Sequence, residues 1–152
     1  MKKIGIISDT HGLLRPQATE ALQGVDHILH AGDVGTSAVL EALQKIAPVT
    51  VVRGNVDKGD FGKSLPMTEA IELGGVWFYM IHILQDLDID PTAAGMDVVV
   101  FGHSHKPADY VQDGSRFINP GSAGARRFSL PVSLILAEVA DGKASFELIE
   151  LV

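Results

Sequence analysis

The sequence lacks three features that would each direct its interpretation. None of its 152 residues is cysteine, which excludes disulfides and thiolate ligands, so any metal ion must be held by His, Asp, Glu or Asn. No apolar run reaches the ~18–20 residues that a membrane-spanning helix needs. Basic residues are also few, with 12 Lys and Arg against 19 Asp and Glu.

These absences narrow the classes of function. A formal net charge of −7 argues against a general nucleic-acid binder, because phosphate backbones favour clustered Lys and Arg. The N-terminal Met-Lys-Lys leads directly into a strand-like segment rather than a signal peptide. We therefore expect a cytoplasmic protein that binds neither a membrane nor a nucleic-acid polymer. The length and the hydrophobic content of 46% favour a single well-packed α/β domain over residues 1–152.

The first half of the chain alternates strand and helix patterns. Strands are predicted over 3–8, 26–29 and 49–52, with one helix beginning at Arg15–Pro16 and another over 36–47. Strand–helix–strand order predicts parallel pairing. In the second half, glycine-centred turns separate shorter strands, which predicts hairpins and a second, largely antiparallel sheet that includes the C-terminal hairpin.

Side chains that bind metal ions follow the ends of five predicted strands. These residues are Asp9, His11, Asp33, Asn55, His82, His103 and His105. Because ligand sites in such sheets form beyond the carboxyl ends of the strands, we expect the seven side chains to meet at one edge. One ion rarely needs seven donors, whereas two ions about 3.5–4 Å apart that share a carboxylate would use them all. Mixed imidazole and carboxylate ligands suit two divalent transition-metal ions, Mn first, with Fe, Zn, Co or Ni as alternatives.

The order of these motifs resembles that of the calcineurin-like metallophosphoesterases. Asp9-x-His11, Gly32-Asp33, Gly54-Asn55, His82 and Gly102-His103-x-His105 match the motifs of that family across nearly the whole chain. The short chain, with Val52-Arg53-Gly54-Asn55 and Asn119-Pro120-Gly121-Ser122, is similar to the small YfcE-like phosphodiesterase branch. The resemblance implies a four-layer αββα sandwich of two mixed sheets flanked by helices, with a dinuclear metal site at the strand carboxyl ends.

The resemblance also implies a role for each donor. The ligands implied for one ion are Asp9, His11 and His105, and those implied for the other are Asn55, His82 and His103. Asp33 would bridge the two ions together with a hydroxide that attacks phosphorus in line. The implied function is a phosphodiesterase acting on a small phosphodiester, with Asp33, Asn55 and His103 as the catalytic residues.

Two positions depart from the usual pattern of the family. Many members have a histidine after the Gly-Asn pair, where it contacts phosphate and assists the leaving group, but this chain has Val56. With no imidazole to orient, Asp57 is interpreted as a turn residue. The chain also has Ile83 after His82, where many relatives have glycine.

Several polar residues fall outside the motif series. His27 is expected at the surface and His30 as a hydrogen-bonded strand residue. The alternating aspartates of 86–90 resemble a calcium loop but lack its glycine and distal glutamate, so a solvated turn is expected. The pair Arg126–Arg127 is either plain surface or a pair that steers phosphate to the site.

Two functions of different classes remain open. The first is the metal-dependent phosphodiesterase, and the second is a non-catalytic, metal-binding scaffold of the same fold that binds other proteins. A scaffold predicts eroded ligands, and all seven are intact, which favours the enzyme. A DNA nuclease of the superfamily would need capping domains and a basic surface, and both are absent. A homo-oligomer is left open.

Overall fold

The computed structural model describes all residues, 1–152, as ten strands, three short helices and one 3₁₀ turn. The strands are β1 (Lys2–Ile7), β2 (His27–His30), β3 (Val49–Val51), β4 (Thr68–Leu73), β5 (Val76–Ile81), β6 (Val98–Val100), β7 (Ala108–Gln112), β8 (Ser115–Asn119), β9 (Ser133–Ala140) and β10 (Lys143–Glu150). The helices are α1 (Pro16–Ala21), α2 (Ser37–Gln44) and α3 (Gly59–Lys63), and the 3₁₀ turn is Leu84–Asp86. No helix is long and apolar enough to cross a bilayer.

The strands form two mixed five-stranded sheets. The first has the order β10-β9-β1-β2-β3, in which β1, β2 and β3 are parallel, as predicted, and β9 and β10 are antiparallel. The second has the order β4-β5-β6-β8-β7, with parallel β5, β6 and β8 between two antiparallel edge strands. Both sheets therefore present the carboxyl ends of parallel strands at one edge.

The prediction of a largely antiparallel second sheet is wrong. Two of its four pairings are parallel, and the C-terminal hairpin joins the first sheet, where β9 pairs with β1. A turn signal identifies the two strands of a hairpin. It does not identify the third strand beside them, because that pairing depends on where the hairpin packs.

The main hydrophobic core lies between the two sheets. Alternate residues of β1 point inward, so Ile4 and Ile6 meet Phe78 and Met80 of β5 in a cluster of 15 buried residues. Burial of this kind contributes roughly 25 cal/mol for each Å² of apolar surface removed from water. The opposed sheets are therefore held by apolar packing, and their common edge is free to carry polar side chains.

The outer faces of the sheets are covered unequally. Leu22, which follows α1 directly, and Leu43 of α2 pack against Ile28 on the first sheet. On the second sheet, Leu84 and Leu87 from the 3₁₀ turn and the segment after it pack over Val99. The expected four-layer α/β fold is confirmed, with a fourth layer that is thin.

Helix boundaries follow the sequence signals closely but not completely. α1 begins at Pro16 as predicted, because proline suits the first helical position. α2 ends at Gln44 rather than at Ala47. α3 was not predicted, since two of its five residues are glycine, which disfavours helix.

Candidate metal centre

The structure places all seven sequence-predicted donors at the same edge of the sandwich. Asp9 and His11 follow β1, Asp33 follows β2, and Asn55 follows β3. From the second sheet, His82 follows β5 directly, and the remaining pair, His103 and His105, follows β6. Donors from the parallel strands of both sheets therefore converge, because these strand ends face each other across the core.

Two glycines let the donor loops approach each other closely. A Cβ on Gly54 would lie 2.1 Å from the backbone nitrogen of Asp33, which no side chain can tolerate. A Cβ on Gly32 would lie 2.7 Å from Nδ1 of His82, and its φ of +104° also favours glycine. The Gly-Asp and Gly-Asn motifs therefore have a steric reason.

Five of the seven donors have backbone conformations in the left-handed region. They are Asp9, His11, Asp33, His103 and His105, with φ between 47° and 73°. Asp and His tolerate this region better than most residues, but it still costs of order 1–3 kcal/mol where the backbone is strained. Such conformations persist where the surrounding structure imposes them, and here they turn the side chains toward one point.

The first group of donors, which we call the first triad, consists of Asp9, His11 and His105. Nε2 of His11 lies 3.2 Å from Nε2 of His105. Oδ1 of Asp9 lies 3.6 Å from the first of these nitrogens and 3.4 Å from the second. Asp9 is fully buried, and its other carboxylate oxygen accepts hydrogen bonds from Ser8 Oγ and the backbone N–H of His103.

The second triad consists of Asp33, His82 and His103, and the amide of Asn55 lies against it. Nδ1–H of His82 donates to the carbonyl of Ala31 over 2.7 Å, which leaves Nε2 available to bind a metal ion. That nitrogen lies 3.1 Å from Oδ2 of Asp33 and 3.0 Å from Oδ1 of Asn55. Oδ1 of Asn55 also lies 3.1 Å from Nδ1 of His103.

The donor set fits a divalent cation. Oδ1 of Asp9 is buried, has no hydrogen-bond partner, and faces the Nε2 atoms of His11, His82 and His105 at 3.4–3.9 Å. A buried carboxylate oxygen without a partner is costly in a folded protein, whereas a cation among such donors satisfies it. Imidazole nitrogens with carboxylate and amide oxygens are the ligands that divalent transition metals prefer.

Electrostatics within the site reflect its crowded charges. Burial lowers the pKa of His82, but hydrogen bonding to Asp33 and the charge of Asp9 outweigh it, so this pKa is raised overall. Burial raises the pKa of Asp33, but the His82 hydrogen bond and the N–H of Val56 bring it down to about 2. The carboxylate of Asp9, 3.6 Å from Nε2 of His11, raises the pKa of His11, while burial lowers that of His105.

Asp57 has a larger role than the turn residue that the sequence indicated. Its backbone does close a turn with Gly54, but its buried carboxylate also accepts three backbone N–H groups, those of Val34, Gly35 and Gly54, at 2.9–3.2 Å. It therefore ties the loop after β2 to the loop after β3. No local pattern shows this, because Asp57 and Val34 are 23 residues apart.

A buried hydrogen-bond chain links two further donor loops. Thr10 donates its hydroxyl to the carbonyl of Val34, so Nε2–H of His30 donates to that hydroxyl over 3.0 Å. Gly32 N–H in turn donates to Nδ1 of His30. His30 is the hydrogen-bonded strand residue that was expected. His27, expected at the surface, is half-buried against Thr50.

The loop after β8 shapes the turn beside the donors. Ser122 Oγ donates to the carbonyl of Asp9, and Asn119 Nδ2 donates to the carbonyl of Gly102. Arg126 donates to the carbonyls of Leu130 and Val152, so its guanidinium is occupied at the surface.

Comparisons with known proteins found a matching family model and several relatives. A model described as "Calcineurin-like phosphoesterase superfamily domain" matches residues 1–142. The "Probable metallophosphoesterase" of Methanothermobacter thermautotrophicus is 33% identical over 145 residues, covering 88% of this chain and 84% of that protein. "Phosphodiesterase MJ0936" of Methanocaldococcus jannaschii is 26% identical over 157 residues, covering 88% of this chain and 92% of that one.

Solved structures extend the likeness to the fold. Vps29 from Chaetomium thermophilum superposes with a TM-score of 0.80 at 19% sequence identity, covering 99% of this chain and 97% of that chain. At this identity the match shows a shared fold alone. The architecture is therefore common to proteins of distant sequence.

Proposed function

The chain belongs to the calcineurin-like phosphoesterase superfamily, and from this membership we propose that it is a dinuclear metal-dependent phosphodiesterase. The observation that carries the proposal is the buried Oδ1 of Asp9, which has no hydrogen-bond partner and faces three imidazoles. The phosphodiesterase of M. jannaschii supports the choice of a diester as substrate.

The ligand assignment we propose divides the donors between two ions. The first triad holds one ion, and His82, His103 and Asn55 hold the other. Asp33 bridges them, and in support of this its Oδ2 lies 3.1 Å from Nε2 of His82 and 3.5 Å from Nε2 of His11. One carboxylate thus lies within reach of an imidazole from each group.

Two such ions would supply the chemistry that is common to dinuclear metal sites. Two divalent cations provide a hydroxide nucleophile near neutral pH and offset the negative charge on the phosphate oxygens. We propose Mn²⁺ as the metal, with Fe, Zn, Co or Ni as alternatives that the same ligands accept.

Neighbouring residues of the chain hold the proposed ligands in position. The hydrogen bond to Ala31 holds the imidazole of His82 in one tautomer, with Nε2 turned to the site. Asn55 contributes a neutral oxygen, so it adds no charge to a cluster that already contains two carboxylates. Asp33 is held by the N–H of Val56 at 2.9 Å and keeps a low pKa, so it is ionised at neutral pH.

No side chain of the Gly54–Asp57 turn is available to protonate a leaving group. Val56 is apolar and 40% exposed, and the carboxylate of Asp57 is buried against three N–H groups. An ester whose alcohol leaves readily as an anion is therefore the substrate that this site suits best. Aryl diesters meet that requirement and alkyl diesters do not.

The proposal is tested with metal-free protein reconstituted with Mn²⁺. We expect elemental analysis to approach two equivalents and bis-p-nitrophenyl phosphate to be hydrolysed only after loading. Asp9→Asn is the matched control, because it preserves shape and removes the buried charge. Hydrolysis by the metal-free protein, or a firm single equivalent in the active form, would contradict the proposal.

The second candidate is a non-catalytic scaffold that binds metal and other proteins. The observation that supports this candidate is the shared fold with Vps29 at 19% sequence identity. The complete ligand set favours the enzyme. Protein that holds two equivalents of metal and hydrolyses no diester would favour the scaffold instead.

A further inference from the structure

A cleft of about 520 Å³ opens beside the second triad. Asn55 and His82 form one of its walls, so the cleft and the donor cluster are continuous. We call it the side cleft. If the proposed function holds, a phosphodiester at the donors extends one of its two ester substituents into this space. The residues that line the cleft would then contact this substituent and discriminate between substrates.

The apolar part of the side cleft is small. Met67, Ile81 and Ile83 are three hydrophobic residues among the twelve that line it. Ile83 is the residue that replaces the glycine common after the histidine, and here it supplies apolar surface at the cleft wall. A surface of this size suits one flat group rather than an acyl chain, which would need an apolar lining along its length.

The polar part of the cleft carries charges of both signs that form no ion pair within the chain. Asp86 and Asp88 are exposed on one side, and Arg53 and Lys58 line the same space. The only ion pair that a Lys or Arg forms in the structure joins Arg116 to Asp109. The fifth charged residue of the lining, Asp57, already accepts three backbone N–H groups. The other four charged residues are therefore available to a ligand.

Arg53 is held in place for such contact. Its backbone N–H donates to the carbonyl of Pro66, and its Nε–H donates to the carbonyl of Gly62, both over 2.7 Å. The terminal nitrogens of the guanidinium remain free, and a planar guanidinium both donates hydrogen bonds and stacks on flat rings.

We infer that the side cleft binds a nucleoside, so that the substrate is a small phosphodiester with one nucleoside substituent. Carboxylates such as Asp86 and Asp88 accept hydrogen bonds from sugar hydroxyls. The flat base packs on the isoleucine and methionine side chains, and Arg53 contacts its edge or face. A polymer is not the expected substrate, since the chain carries a formal net charge of −7.

The kinetic test compares two substrates that release the same p-nitrophenolate. They are the p-nitrophenyl ester of adenosine 5′-monophosphate and methyl p-nitrophenyl phosphate, each given to Mn-loaded protein. Because the leaving group is shared, the ratio of their kcat/KM values measures the contribution of the nucleoside alone. We expect the adenosine ester to be favoured by about tenfold or more, which corresponds to one net hydrogen bond to a charged group.

The variant Asp86→Asn/Asp88→Asn tests the cleft directly. Both residues are exposed, so folding is not at stake, and we expect the ratio to fall about tenfold toward that of a protein without nucleoside preference. Asp60→Asn is the matched control, because it removes an exposed charge of α3 that does not line the cleft. A ratio near one in the parent, or an unchanged ratio in the double variant, would overturn the inference.

A binding measurement keeps the inference separate from the proposed function. Adenosine is titrated into metal-free protein with labelled isoleucine and methionine methyl groups. We expect shifts at Ile81, Ile83 and Met67 that are lost in the double variant, with Ile149 unmoved. If neither ester is hydrolysed, the proposed function fails, and these shifts alone test whether the side cleft binds a nucleoside. Shifts confined to it support the inference, and their absence overturns it.

Discussion

The two halves of the donor cluster differ in how far water reaches them. In the first triad, Asp9 and His105 are buried and the side chain of His11 is 25% exposed. In the second, buried Asp33 and His82 stand beside exposed His103 and Asn55. The partnerless carboxylate oxygen belongs to the first half, and the side cleft opens from the second.

The buried first half is therefore suited to holding a cation, and the more exposed second half to admitting a substrate. Burial strengthens the interaction between a carboxylate and a cation, because little water competes for either charge. We therefore expect the first half to retain its ion more tightly. The second half keeps two exposed ligands at the mouth of the cleft, where a phosphate can reach them.

The largest effect is expected from Asp33→Asn, because we propose that the two halves share the carboxylate of Asp33. We expect activity to fall by about 10²–10³-fold, as for the loss of one group that stabilises developing charge. Asn55→Ala removes a ligand from the open half only, and excess Mn²⁺ should recover part of its activity. The comparison is measured as kcat at increasing Mn²⁺. Parent-like activity of Asp33→Asn at saturating metal would refute the bridging role.

The next effect concerns the proton donor that the open half lacks. Across substituted aryl diesters we expect kcat/KM to fall steeply as the pKa of the leaving group rises, since Val56 cannot donate a proton. General acid catalysis is worth about 10²–10⁴-fold, so Val56→His should flatten this dependence and speed alkyl ester hydrolysis. The parent series is the stronger measurement, because the new imidazole must also find its geometry. A flat series in the parent would contradict the explanation.

A smaller effect is expected from Asp57→Asn, which should weaken the second half of the cluster more than the first. Asp57 ties together the loops that carry Asp33 and Asn55. We expect the affinity of the weaker metal site to fall about 10–100-fold, as for other residues that orient ligands. A chelator competition titration measures both affinities, with Asp60→Asn as the control. Equal weakening of both ions would show that Asp57 supports the whole cluster instead.

The smallest effect concerns stability and pH in metal-free protein. Burial lowers the pKa of His30 from 6.5 to about 4. Between these values the unfolded chain binds a proton that the folded chain does not, so stability falls as the pH falls. From pH 7.5 to 5 this amounts to about 2 kcal/mol. His30→Gln should lose less stability across this range than the parent does, measured by denaturant unfolding at both pH values. An equal loss would assign the dependence to other groups.

The donor residues were predictable because each follows an apolar strand that the local pattern reveals. The run before Asp9 and the run before His103 each predict a strand whose end lies at the site, and both strands are present. Asp57 was underestimated for the opposite reason. Its partners Val34 and Gly35 are distant in sequence, so only the packed loops show that its carboxylate is buried.

The amino-acid sequence alone was enough to predict which side chains could donate to a metal ion, in what order they occur, and that parallel strands carry them to one edge. Hydrophobic periodicity and glycine spacing are local properties, so they are readable without the fold. The folded structure was needed to show that the C-terminal hairpin joins the first sheet, that Asp9 is buried with one oxygen unpaired, and that a charged cleft adjoins Asn55. These features arise from contacts between distant segments, whose geometry depends on how the whole core packs.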